Sequence, residues 1–336
     1  MKRRDFMKTG AFMAAGSMMS ATTLSANSKS SNKKPKTVEQ NKFKVIDFRC
    51  RPPLRSFGGL FKMRVGMFEN RPNVLANPAT FGKVPDSIQA FISGDKNAMK
   101  LWWKEIDRCK IESVVVAGRY MKGQPSMSMD TDDLLKYEKQ YKNRFYGIAP
   151  IVIDTPINET IQKLEADLKK GIRGVTIEPG YRTKGGPTTI DNKEFFPIYE
   201  LLQQKDIFVQ VQTGAFANPM NFKEPNEMWR FDDTLRQFPK LKVILGHGGF
   251  PNITEALALA LKWPSVTISS DVYTFWPGGQ LYQQNIEMLQ DQFVYGSAYP
   301  FANFYETLEQ TLNLPLSDKV FEKYLYNNAR RLLKLS

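Results

Sequence analysis

Residues 242–262 read KVILGHGGFPNITEALALALK. The stretch opens with an apolar run, Val243-Ile244-Leu245, that stops at Gly246-His247. It turns through two glycines and Pro251, then places Ile253, Leu257, Ala260 and Leu261 at the spacing of one helix face. An unbroken apolar run of this length suits a parallel strand covered on both sides. Pro251 suits a first helical turn, where its missing N–H is not needed. A buried strand passing directly into an amphipathic helix is one βα unit.

The same unit recurs on both sides. Strand signals lie at 44–49, 112–118, 145–151, 174–178, 207–212, 242–247, 266–271 and 293–297. Helical spacing fills the intervals. Ile157, Ile161, Leu164 and Leu168 form one stripe, with Asn158 as its expected cap and Gly171 as its stop. Phe195, Ile198, Leu201 and Leu202 form another. Eight alternations predict an α/β fold, a (β/α)8 TIM barrel over residues 43–336. An open doubly wound sheet is the alternative. No G-x-G-x-x-G follows the first strand, which argues against a dinucleotide fold.

One connection stands out. Roughly fifty residues rich in Gly, Pro, Arg and Asn separate Arg51 from Trp102 and Trp103. Residues 52–85 are read as a lid over the barrel mouth, with Arg55 and Arg64 as candidate ligand contacts. A loop serving only self-association is the competing reading.

Composition excludes several classes. The 336 residues are 42% hydrophobic and 24% charged, as in globular chains, and 23 Phe, 13 Tyr and five Trp can fill a large core. The net charge is +13, but residues 1–36 carry eight basic groups against the single acid Asp5. The remainder is only mildly basic and shows no basic–aromatic stripe, so no nucleic-acid partner is expected. Two cysteines exclude a disulfide framework and a CxxC zinc site. Cys50 is read as a core thiol facing the helices, and no Cys50–Cys109 bridge is expected.

Residues 1–36 read as an address. Arg3-Arg4-Asp5-Phe6-Met7-Lys8 resembles a twin-arginine export signal, followed by a weakly apolar run broken by Gly10 and Gly16. That run makes a poor anchor, so no stable membrane attachment is expected. The resemblance implies the twin-arginine export machinery as a partner and a periplasmic mature protein. A homodimer is allowed.

In a barrel of this kind the chemistry lies at the C-terminal strand ends. Those ends carry Arg49 and Arg51, Arg119, Glu178, Gln210 and Gln212, His247, Asp271, and Ser297-Ala298. Period-two alternation places Asp47, Arg49 and Arg51 on one face, and Gln210 and Gln212 on one face. Polar groups in a buried strand avoid the helix layer and are expected to face the mouth. Aromatic residues in the loops, Tyr181, Phe216, Tyr273, Trp276 and Tyr299 among them, could stack on a ring.

Asp47-Phe48-Arg49-Cys50-Arg51 resembles the first strand of the amidohydrolase-related family, whose pattern there is D-x-H-x-H. Gln210-Val211-Gln212-Thr213-Gly214 resembles its fifth strand, which usually ends H-x-G. Ile244-Leu245-Gly246-His247-Gly248-Gly249 matches its sixth, and Gly296-Ser297-Ala298-Tyr299-Pro300 resembles its eighth, usually G-S-D-x-P. The family's divalent metal is held at positions that in this chain are Arg49, Arg51, Gln212 and Ala298. Arginine is protonated and has no lone pair for a metal. The expectation is therefore no metal and no cofactor.

The arginines would instead bind and polarise a small anionic organic substrate, with Gln212, Gln210, Tyr299 and Trp276 as further contacts. His247, the chain's one histidine, is the expected general acid/base, with Asp271 and Glu178 as catalytic carboxylates. Three readings follow: a metal-independent hydrolase of lactone or ester type, an isomerase or decarboxylase on the same scaffold, or an inactive periplasmic binding protein.

Overall fold

A computed structural model of the chain describes residues 35–70, 83–214 and 224–335. The twin-arginine segment, the 71–82 part of the long connection and Phe216 lie outside the described residues.

Seven parallel strands form one sheet in sequence order: β1 (Ile46–Asp47), β2 (Ser113–Ala117), β3 (Phe145–Pro150), β4 (Gly174–Ile177), β5 (Phe208–Gln212), β6 (Val243–Gly246) and β7 (Val266–Ser269). Helices fill the crossovers. Three follow β1: α1 (Gly58–Asn70), α2 (Asp86–Ser93) and α3 (Ala98–Arg108). One then follows each of the next strands: α4 (Thr131–Gln140), α5 (Ile157–Lys169), α6 (Phe196–Gln204), α7 (Met228–Gln237), α8 (Ile253–Lys262) and α9 (Gln280–Asn285). This is the (β/α)8 architecture.

The eighth wall is present without a regular ladder. Val294 N–H donates to the Ile268 carbonyl on one side, while Phe48 N–H donates to Tyr295 and Ala298 N–H to Arg49 on the other. The segment thus bridges β7 to the first wall and closes the barrel. It is not a continuous strand because Tyr295 N–H turns instead to the Tyr324 carbonyl, 3.0 Å away.

Alternation explains the continuous apolar runs. Val114 and Val116 of β2 pack outward against the helices, whereas Val115 and Ala117 point into the barrel. The inner cluster includes Ile46 and Phe208, the first residues of β1 and β5, together with Phe48, Ile244 and Val294. Ala329 and Leu332 of the C-terminal helix (Asn328–Leu332) join it and close that end.

Several local expectations change. The strands are shorter than their sequence signals, since the ends bend into the mouth. Helix α5 starts at Ile157 with Pro156 as its cap, so Asn158 lies inside the first turn. Helix α8 begins after Asn252, which leaves Pro251 just outside it. Asp47 does not share a face with Arg49 and Arg51. Its Oδ1 accepts the Arg49 N–H at 2.9 Å and the Ser297 N–H at 3.1 Å, and this local turn ends β1. The described parts of the long connection are largely helical, Gly58–Asn70 and Asp86–Ser93.

Gly174 shows how closely the interior is filled. A Cβ at that position would lie 2.1 Å from Cζ of Phe208, whose ring is buried in the inner cluster. Gly174→Ala is expected to destabilise the fold by roughly 1–3 kcal/mol in urea unfolding, as overpacking does. Adding Phe208→Leu should make the double variant more stable than the sum of the two single changes. Strict additivity would contradict this contact.

Candidate active site

Three of the walls end in left-handed backbone that side chains seldom adopt. His247 has φ 69°, Asp271 φ 54° and Ala298 φ 61°. Such turns persist where surrounding contacts determine them, and they are frequent at functional sites. Here they bring His247 and Asp271 against Arg49 from the first wall.

Asp271 is fully buried and holds two groups with one oxygen. Its Oδ2 lies 2.8 Å from Arg49 Nε and 3.0 Å from His247 Nδ1. Its Oδ1 accepts from the Ser269 hydroxyl. Arg49 Nη2 donates to Gln212 Oε1 and stands 3.1 Å from His247 Nε2. A guanidinium can only donate, so Nε2 must accept. The ring proton therefore sits on Nδ1, facing Asp271. Burial, reinforced by the positive charge of Arg49, pulls His247 down to about 4, against the opposing pull of Asp271. The imidazole is neutral at pH 7. It is suited to accept a proton and, contrary to the sequence expectation, not to supply one at the outset.

Glycines open the space for this network. A Cβ on Gly246 would lie 2.8 Å from Arg49 Nη1, one on Gly296 would lie 2.6 Å from Asp271 Oδ1, and one on Gly214 would meet His247 Cβ at 2.8 Å. All three belong to the strand-end motifs, and the sequence reading missed their purpose.

A cleft opens above this network. It is lined by the polar residues Arg49, Arg51, Arg119, Gln212 and His247 and by the rings of Tyr181, Tyr273 and Trp276. Met63 and Met67 of α1 reach it from the long connection. Arg51 packs its guanidinium on Phe57 at 5.3 Å and donates from Nη1 to the Cys50 carbonyl at 3.1 Å. Burial, together with Arg49 and Arg119, lowers Arg51 to about 9, still protonated at neutral pH.

Other candidates are placed differently. Glu178 does not line the cleft. Its oxygens accept from Arg119 Nε at 2.9 Å and Nη2 at 2.7 Å, so it is the counter-ion of Arg119. Gln210 is fully buried below the cleft and does not line it, because its layer of the barrel lies one step beneath Gln212. Asp271 does not line the cleft and contacts it through His247 and Arg49, which do. Tyr299 lines the cleft, but its hydroxyl is bonded to Ser87. Of the two lid arginines, Arg64 is buried with Nε on the Pro300 carbonyl, and Arg55 lines a separate groove. Cys50 and Cys109 are buried free thiols, and Cys50 also borders the cleft.

The family profile described as Amidohydrolase matches residues 112–335. No curated protein matches the chain. Among solved structures, an uncharacterised TIM-barrel protein from Bordetella bronchiseptica is 27% identical, with a TM-score of 0.76, over 87% of this chain and 99% of its own. A 5-carboxyvanillate decarboxylase from Novosphingobium aromaticivorans, solved with manganese, is 15% identical, with a TM-score of 0.59, over 90% of this chain and 100% of its own. A 4-oxalomesaconate hydratase from Rhodopseudomonas palustris is 16% identical, with a TM-score of 0.56, over 86% of this chain and 95% of its own. The last two show the shared fold.

Two ionisable groups give opposing pH dependences. Burial raises Asp47 to about 7, and its Oδ2 has no partner among the described residues. The folded carboxyl therefore keeps its proton while the unfolded one, near ~3.9, has lost it, so stability falls as pH rises from about 4 to 7. For His247 the folded value lies below the unfolded one, so its contribution is lost as pH falls from about 6.5 to 4. Asp47→Asn removes the first effect. Chemical unfolding should show this variant gaining about 2 kcal/mol or more on the parent between pH 4.5 and 8. Parallel pH profiles would contradict the assignment.

Proposed function

Because the chain belongs to the amidohydrolase family, we propose that it is an enzyme, a metal-independent hydrolase of a small anionic lactone or carboxylate ester. The arrangement that carries this reading is the buried Asp271 bracketed by Arg49 Nε and His247 Nδ1.

The residues present do not fit a divalent ion. Where the family resemblance places metal ligands, this chain has Arg49, Arg51, Gln212 and Ala298. Two guanidinium groups offer no lone pair and repel a cation. The Gln212 oxygen already accepts from Arg49, and Ala298 has no donor. Among the described residues no cluster of three or more His, Cys, Asp or Glu could hold a metal.

The same groups can hydrolyse an ester. A carbonyl oxygen approaching Arg49 takes the Nη2 donor now facing His247 Nε2, which frees that lone pair. His247 then removes a proton from water as the water oxygen adds to the carbonyl carbon. Asp271 stabilises the imidazolium, and the oxyanion is held by Arg49. Collapse breaks the acyl C–O bond, and the imidazolium returns its proton to the departing alkoxide. A lactone gains one water and becomes a hydroxy acid.

Export through the twin-arginine machinery to the periplasm is part of the proposal, supported by Arg3-Arg4 and the weakly apolar run after them. Replacing both arginines by lysine should leave the chain in the cytoplasm in a cell-fractionation experiment. Unchanged export would remove this part.

The catalytic reading is tested by mass spectrometry of products from a lactone and ester panel. A lactone product should be heavier by one water, and an ester should give an acid and an alcohol whose masses sum to the ester plus one water. His247→Ala should lower kcat/KM by about 10²–10⁴-fold. The parent kcat/KM should stay level through neutral pH and fall only towards about 4, where His247 becomes protonated. Loss of carbon dioxide would favour a decarboxylase instead. Equal turnover in His247→Ala would overturn the role given to this residue.

A further inference from the structure

Three guanidinium groups line the cleft, and each is at least nine-tenths buried. Two have counter-ions: Arg49 has Asp271, and Arg119 has Glu178. Among the described residues no carboxylate lies within ion-pair distance of Arg51. His247 is neutral and supplies no compensation. The cleft is therefore left with one positive charge in excess. A buried charge without a partner is costly, and here it borders a cavity that a ligand can enter.

Arg51 is also held ready. Phe57 covers one face of its guanidinium, and the Cys50 carbonyl takes Nη1, while Nε is buried with no partner. Arg49 and Arg119 each commit at least one donor to a carboxylate, whereas the one side-chain bond of Arg51 goes to a backbone carbonyl. The same cleft is lined by Tyr181, Tyr273 and Trp276, and by Met63 and Met67 of α1. Flat aromatic surfaces and adaptable thioethers suit a ring better than a flexible chain.

We infer that the cleft takes a ring-bearing monoanion, one negative charge for one uncompensated cation, and that Arg51 is the specificity-determining residue that seats its carboxylate. The inference deepens the proposed function and rests on this cleft being the substrate site. A dianion brings a second charge with no free cation to meet it, and a neutral amide leaves Arg51 unpaired. Both should bind less well than the monoacid.

Calorimetric titration of the full chain tests this with benzoate, cyclohexanecarboxylate and 2-furoate, the corresponding amides, and phthalate. At least one monoacid should bind about tenfold or more tightly than its own amide and than phthalate, as a charge-assisted hydrogen bond implies. Arg51→Met should reduce the acid-over-amide preference to less than about threefold. Its apo melting temperature should not fall, since an unpaired charge has been removed. Arg51→Lys, a milder change, should keep a reduced preference for the acid. Equal binding of acid and amide by the parent, absence of binding by all three acids, or an intact preference in Arg51→Met would each overturn the inference. The catalytic reading fails separately: His247→Ala should retain the acid preference while losing turnover.

Discussion

One carboxylate oxygen holds the site together. Oδ2 of Asp271 lies within 3.0 Å of both Arg49 Nε and His247 Nδ1, in surroundings from which water is largely excluded. The pair with Arg49 fixes the guanidinium across the barrel mouth, and Arg49 Nη2 facing Nε2 sets the His247 tautomer. Removing one member of such a buried pair typically costs about 3–5 kcal/mol, because the other charge is left stranded. The left-handed turns at His247, Asp271 and Ala298, and the small residues Gly214, Gly246 and Gly296, are the local accommodations that allow it.

Charge balance then organises the rest of the mouth. Arg119 and Glu178 form a forked pair, while Arg51 rests on Phe57. In the proposed hydrolase, fixed guanidinium dipoles and charges do the polarising, and a neutral imidazole moves the proton. Preorganised donors of this kind need no rearrangement as charge develops. In the same proposal, the excess positive charge at Arg51 gives the site its preference for an anion.

Much of the fold was legible because parallel strands covered on both faces must be short and continuously apolar. The runs at Val243–Gly246 and Ser113–Ala117 announced themselves in that way. The eighth wall was legible as a segment but not as an irregular one, since the bond from Tyr295 to Tyr324 joins residues far apart in the chain. Asp47 misled the alternation because its side chain caps the backbone two residues on. At the site, Arg49, Arg51, Gln212 and His247 could be located from strand ends and motif spacing. Glu178 could not be told from a catalytic acid until Arg119, 59 residues away, was seen to occupy it. Gln210 shares the face of Gln212 yet lies a layer too deep, a difference of depth that alternation does not encode.

The central claim is that guanidinium groups stand where relatives hold a metal ion, and that catalysis proceeds on them. Elemental analysis of the protein as isolated, on a sample whose turnover is measured before and after exhaustive chelation, tests it most directly. The account predicts substoichiometric transition metal and unchanged turnover. One tightly held metal ion per chain, with activity lost on its removal, would contradict it.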